Sequence, residues 1–465
     1  MKKILLLTLI IVATISGCRK IEVDGDSTGT GTGGNQDNLV LSGKINADRT
    51  LKTGSTYKLR GVVYVVDGAT LTVEPGAIIQ GEKSSRGALI ITRGSKLIAD
   101  GTKEKPIVFT SDASTPTSGD WGGIVLLGRA RTNASYNNTA GIGEIEGGIN
   151  NSDGHGLYGG ADDDDNSGIL RYVRIEYAGY AFLPDKELNS LTMGGVGRGT
   201  TIDYVEVSYA LDDAFEWFGG AVNCKHLIAF KTLDDDFDTD NGFRGNVQWG
   251  IIIRDSTRAD VSSVESFESD NDATGSALLP QTAAVFSNIT SIGPKANINN
   301  TVNSRFLAGA QIRRNSSISI FNSVIMGWPR GVYIDARAGV PTDNNIRSNS
   351  LLIQNTIIAG CNTPLDYTVS TAAPTGWTAA SVESWFTTAG FGNAILNTVD
   401  EVKLTAPFNY ATPDLTPQAG SPLLTGGGFT NAKLAAGFTA TTYRGAVGAA
   451  GTADADWWKG WTKFN

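Results

Sequence analysis

The chain has 465 residues, with 57 glycines against 14 prolines and none of the long Leu/Ala/Glu/Lys runs of helical proteins, which excludes a helical bundle and favours strands and turns. Its formal charge is -9, more negative still once Lys2 and Lys3 leave with a leader, which excludes nucleic acid as a ligand and favours cations or basic partners. Three cysteines (Cys18, Cys224, Cys361) give no disulfide framework, and two histidines (His155, His226) are too few for a zinc site of the usual kind.

Lys2-Lys3, the apolar run from Ile4 to Ile15 and Ser16-Gly17-Cys18 form a basic region, a hydrophobic core and a small-residue cleavage site. The run is too short for a permanent membrane span. Ile15-Ser16-Gly17-Cys18 resembles the lipobox of bacterial lipoproteins, and the resemblance implies that residues 1–17 are removed and that Cys18 carries the lipid. Residues 18–38 lack apolar periodicity and read as a flexible tether reaching roughly 25 Å. Glu22, Asp24 and Asp26 soon after the cysteine are weakly similar to an export signal for the outer face of Bacteroidetes-type bacteria, which implies a lipid-anchored, surface-exposed outer-membrane protein.

From residue 39 onward short apolar strands alternate with Gly, Pro and Asp turns. Leu71 and Leu97 are 26 apart, and Tyr172-Val173 recurs as Tyr204-Val205 at 32. Leu211-Asp212-Asp213-Ala214-Phe215 recurs as Leu233-Asp234-Asp235-Asp236-Phe237 at 22. Repeats of this length, without two-residue hairpin loops, predict stacked coils: an all-β, single parallel β-helix solenoid over residues 39–465, with an antiparallel sandwich as the competing fold. At the 32-residue shift Arg174 falls over Glu206, predicting an outward ion pair, and the extra length is expected as a loop from Pro184 to Gly199.

Leu71-Thr72-Val73-Glu74-Pro75-Gly76, Gly94 to Thr102, Lys105 to Ser111, Trp121-Gly122-Gly123-Ile124, Gly194 to Gly197 and Gly420-Ser421-Pro422-Leu423-Leu424 resemble the right-handed parallel β-helix, pectin-lyase-like surface lipoproteins of Bacteroidetes-type bacteria. The resemblance implies a right-handed β-helix and carries no settled activity.

Residues 133–167, polar and rich in Gly, Asn and Asp, are expected to protrude as a loop. Asn288, Asn322 and Asn355 suggest an inward asparagine ladder at a coil corner. Val382, Trp385 and Phe386 fit one face of a short helix. A tail from about residue 377 to 465, ending in Trp457-Trp458-Lys459-Gly460-Trp461, reads as the cap of the last coil.

The chemistry concentrates in the doubled acidic segment. If the copies are adjacent coils, Asp212 lies over Asp234 and Asp213 over Asp235 at about 4.8 Å. Such carboxylates repel by roughly 3.5 kcal/mol at an effective dielectric of 20, and a bound cation, a raised pKa or splaying into water must relieve them. The row is expected to continue through Asp236, Asp238 and Asp240, with Glu268, Asp270 and Asp272 joining its edge. Calcium is the cofactor that suits oxygen-only ligands. Asp163-x-Asp165-x-Ser167-Gly168 and Asp270-x-Asp272-x-Thr274-Gly275 each match the first half of a calcium loop, but Arg174 and Gln281 stand where the closing Glu belongs. Trp217 and Phe218 beside the acidic turn are candidates for sugar stacking, or else core residues beside Phe215 and Phe237.

A complete catalytic set is missing. Asp238-Thr239-Asp240, Asp212-Asp213 and Gly154-His155-Gly156 superficially resemble polygalacturonase motifs, but in the wrong order and without an Arg-Ile-Lys segment. The expectation is therefore a non-enzymatic binding face for a polysaccharide or an outer-membrane partner. A calcium-dependent lyase or hydrolase, with Lys231 or Arg244 as a nearby base, and a structural adhesin are the alternatives.

Overall fold

The computed structural model describes residues 39–183 and 186–464; Cys18, the leader and the tether lie outside them. Strands pair in parallel with the strand one coil further on, in the registers the repeats predict: Leu71 beside Leu97, Val173 beside Val205, Val205 beside Leu227 and Phe215 beside Phe237. Strand follows strand into one long, nearly closed parallel sheet, a right-handed parallel β-helix. Leu, Ile, Val and Phe alternate inward along each strand and fill the axis, where Phe215, Phe237, Phe267 and Phe286 pack edge to face.

Each central coil has three strand segments, as in Thr201–Ser208, bent at Tyr204, followed by Phe215–Phe218. The bend recurs at Tyr172, Tyr204, His226, Trp249, Asn288, Asn322 and Asn355, all left-handed with φ between 48° and 62°. That conformation costs a non-glycine residue about 1–2 kcal/mol, and here the side chains recover it outside the barrel. Tyr172, Tyr204, His226 and Trp249 stack at centroid distances of 4.4, 4.1 and 4.6 Å. The asparagines point outward too, not inward as expected: Asn288 Nδ2 donates to the carbonyls of Tyr443 and Gly445, and Asn322 Oδ1 accepts from Gly428 N–H at 2.8 Å.

Those contacts belong to the C-terminal segment, which runs along the side of the stack. The outward positions of the second strand segment are apolar (Ile228, Ile251, Ile253, Val324, Met326), and Leu415, Leu423, Val447, Trp457, Trp458 and Trp461 cover them. The tryptophans are therefore a lateral strap and not the end cap expected; Trp461 reaches the ring of Tyr172, 289 positions back. The helix Ala379–Phe386 packs against Thr363–Val369 near the end of the stack, burying Val382, Trp385 and Phe386 as predicted. The strap also reassigns Glu206. It does sit beside Arg174 in register, but Arg174 pairs with Glu176 at 3.1 Å, while Glu206 lies wholly buried and accepts Lys463 N–H at 2.9 Å.

The third strand segment is covered over only part of its length. Its early outward residues Ala88, Ile90, Val125 and Leu127 are apolar, and Ile145, Ile149 and Tyr158 of the 133–167 insertion pack on them. The insertion thus lies against the stack instead of protruding, pinned by Asn133 Nδ2 to Asn271 O at 2.8 Å and Thr132 Oγ1 to Asn241 O at 2.8 Å. Leu191–Gly194, expected within a loop, is a regular strand between Gly123–Leu127 and Phe215–Phe218. Beyond it the outward positions turn acidic, and the cover ends.

Candidate functional site: an acidic cleft

Along the third strand segment Thr192, Glu216, Asp238, Glu268, Gln311, Tyr333 and Asp366 stand side by side, one per coil. Alternation turns Phe215, Trp217, Phe237 and Phe267 inward and leaves Glu216, Asp238 and Glu268 outward. The turns before these strands bring Asp212, Asp213, Asp234 and Asp235 to the same place, and the insertion adds Glu146. With Ser262, Ser263 and Arg313 they line a cleft of about 280 Å³. After each acidic strand the chain turns sharply at glycine: Gly220 and Gly242 have φ of 84° and 85°, and a Cβ there would lie 2.5 and 2.4 Å from the carbonyl oxygens of Val196 and Pro280.

The turn acids also hold the coils together. Asn189 Oδ1 accepts Asp213 N–H at 3.3 Å, Asp213 Oδ1 accepts Asp235 N–H at 2.8 Å, and Asp235 Oδ1 accepts Glu265 N–H at 2.6 Å. Each rung satisfies a buried N–H of the next coil, leaving one oxygen of each aspartate for other contacts. The ladder stops at Glu265, which is fully buried with its carboxyl against that of Asp235.

One oxygen from each member of three groups lies within 4.8 Å of the others: Asp212, Asp213 and Asp234; Asp213, Glu216 and Asp238; Asp235, Glu265 and Glu268. Burial and mutual repulsion both favour the neutral forms. Burial, then the Asp212 charge, holds Asp213 well above the usual carboxylate range; burial, then Glu146, does the same for Glu216, and burial, then Glu265, for Asp235. Asp238 is likewise raised by burial and Glu268. Glu265 is pushed up to about 8 by burial and the Glu268 charge. Glu268 reaches about 7, burial outweighing the Arg313 guanidinium beside it.

Several predicted residues lie elsewhere. Asp236 faces the interior, where its carboxylate meets the equally buried Arg254 at 3.0 Å. Asp240 borders the insertion, accepting Asn241 N–H at 2.6 Å. Asp270 accepts from Arg313 and Arg314 at 2.9 and 2.6 Å. Asp272 closes its own turn by accepting from Thr274 Oγ1 and the N–H groups of Thr274 and Ser276. In the other half-loop, Asp163 is held by Arg244 and Arg131, and Asp165 bonds Ser167 Oγ at 3.2 Å. In both half-loops arginines or local donors take those oxygens.

Trp217 is fully buried, stacked on Phe243 at 5.2 Å, so it is a core residue; Phe218, 9% exposed, packs on Tyr158. His155 tilts against Tyr64 on the insertion, and His226 stacks in the aromatic corner. The two candidate bases are engaged away from the cleft, Lys231 with Asp255 and Arg244 with Asp163. Glu146, Glu216 and Glu265 were missed. Period-two alternation through Phe215-Glu216-Trp217-Phe218 marks Glu216 as outward, whereas nothing local marks Glu146 or Glu265.

Comparison with curated proteins and with solved structures returned no significant match. A family profile described as a pectate-lyase like beta helix domain matches residues 43–399, which include every coil that builds the cleft. The chain belongs to this family of pectate-lyase-like β-helix domains.

Proposed function

We propose that the chain is a lipid-anchored outer-membrane protein of the bacterial surface, of the Bacteroidetes lipoprotein kind, which binds a polysaccharide in the acidic cleft without cleaving it. The observation that carries the reading is the outward row Glu216, Asp238, Glu268, Gln311, Tyr333, repeated along the axis at the strand spacing of about 4.8 Å. A linear polymer lying along the axis meets Asp238 and Glu268, the half-buried members of the row, on adjacent coils. Held toward their neutral forms by burial and mutual repulsion, these carboxyls can donate as well as accept, which suits a ligand rich in hydroxyl groups.

Binding without turnover is favoured over a lyase because the cation lining the cleft is committed. Arg313 contacts Glu268 and bonds Asp270 at 2.9 Å, and these carboxylates hold its guanidinium protonated against the pull of burial. It is a poor proton abstractor. A glycan array probed with the mature chain and with Asp238→Asn tests the reading: glycan signals weakened at least tenfold by the substitution support it, and an array without signal overturns it.

A further inference from the structure

Outside the acidic cleft, a groove of about 660 Å³ opens where the turns of three successive coils meet. The first turn, residues 293–305, joins Val285–Ile292 to Phe306–Ile312; the next two bring Pro329 and Arg330, then Asn362 and Thr363. These turns follow, further along the stack, those that carry Asp212 and Asp234. Their charge is reversed. Lys295 and Arg330 line the groove, and among the described residues no aspartate or glutamate does.

Lys295 is 6% exposed, in a chain whose formal charge is -9. The other deeply buried cation of these coils, Arg254, meets Asp236. Lys295 has no carboxylate at ion-pair distance among the described residues: its ammonium donates to the carbonyl of Asn300, which uses one of three N–H donors. A buried ammonium without a counter-charge is costly, so its missing partner is expected from outside the polypeptide. The neighbours are donors as well. Asn300 Oδ1 accepts Asn297 N–H at 2.8 Å and Asn303 Oδ1 accepts Arg305 N–H at 3.1 Å, so these amides have their Nδ2 groups left to offer. Arg330 bonds Asp366 through Nε at 2.6 Å, which leaves its other guanidinium N–H groups.

We propose that this groove binds a sugar acid or sugar phosphate, with the carboxylate or phosphate seated on Lys295. The oxyanion supplies the counter-charge through charge-assisted bonds, and the amides of Asn300 and Asn303 with the hydroxyl of Thr363 suit the sugar hydroxyls. The site is separate from the acidic cleft, whose carboxyls disfavour the same ligand.

The test is calorimetric titration of the mature full-length chain at low ionic strength with glucuronate, glucose 6-phosphate, inorganic phosphate and glucose; single sugars keep it apart from polysaccharide binding in the cleft. Glucuronate and glucose 6-phosphate should bind at least tenfold tighter than glucose, and glucose 6-phosphate tighter than inorganic phosphate, with affinity falling as salt is added. Lys295→Met keeps the side-chain length and removes the charge, so Tm should hold or rise while both charged sugars bind at least tenfold more weakly. Asn303→Asp, at an exposed position, keeps the acceptor for Arg305 N–H and adds a negative charge to the groove; it should weaken both ligands likewise. The proposal is overturned if neither charged sugar binds, if glucose or inorganic phosphate binds as tightly as they do, or if Lys295→Met or Asn303→Asp keeps wild-type affinity.

Discussion

Asp213 Oδ1 accepts the backbone N–H of Asp235, one coil and 22 residues further on, at 2.8 Å. The same carboxylate lines the cleft, so one residue both joins the coils and furnishes the site. The two uses separate by substitution. Asp213→Asn keeps an acceptor for Asp235 N–H and cannot ionise, whereas Asp213→Ala leaves a buried N–H without a partner. Urea denaturation should show Asp213→Ala destabilised by about 1–3 kcal/mol and Asp213→Asn at or above wild type. Equal loss in both variants would mean that the carboxyl itself, and not the rung, matters.

Arg254 and Asp236 form an ion pair with both side chains fully buried, and Arg254 also donates to the carbonyls of Asp234 and Leu233. Removing one partner strands the other inside the stack. Asp236→Ala should cost about 3–5 kcal/mol in urea denaturation, and Asp236→Ala combined with Arg254→Met distinctly less than the two single losses added together.

Glu206 lies beneath the C-terminal strap, and burial raises its carboxyl from 4.5 to about 8, against Lys463 N–H and Arg174, which favour the charged form. A folded-state pKa above the unfolded value means that the protonated native form is favoured. The contribution is complete below pH 4.5 and is lost as pH rises through 8. Glu206→Gln retains an acceptor for Lys463 N–H and cannot ionise. Across that range wild type should lose stability relative to Glu206→Gln, by on the order of 5 kcal/mol at most, with the strap around Trp461 the first segment to gain hydrogen exchange. Parallel pH profiles for the two proteins would contradict this.

Anchoring through Cys18 predicts that Cys18→Ala moves the protein from the membrane to the soluble fraction, and that protease added to intact cells degrades the wild-type chain. Retention of Cys18→Ala in the membrane fraction would remove the anchor.

The coils were legible because stacking imposes a shared register, so Leu71 and Leu97, or Phe215 and Phe237, must recur in the text. The acids of the turns were legible for the same reason. Run together as Asp234-Asp235-Asp236, however, they hid the alternation that sends Asp236 to Arg254 in the interior. What joins distant segments left no local trace. Glu146 reaches the cleft because the insertion packs on apolar outward positions of the strands, and Asp163 of the half-loop is held by Arg244, 81 positions later. The terminal tryptophans read as an end cap because an uncovered last coil is the common need of solenoids; here the apolar outward row at Ile228 and Ile251 claims them instead.

An acidic cleft that binds a polysaccharide and leaves it whole must show retention without cleavage. Affinity electrophoresis of the mature chain through gels containing neutral and acidic polysaccharides, with the polymer then sized by gel filtration, tests both halves at once. Retardation by at least one polymer, lost with Asp238→Asn, and unchanged polymer length are expected. Retardation by none, or a polymer shortened by wild type and spared by Asp213→Ala, would contradict it.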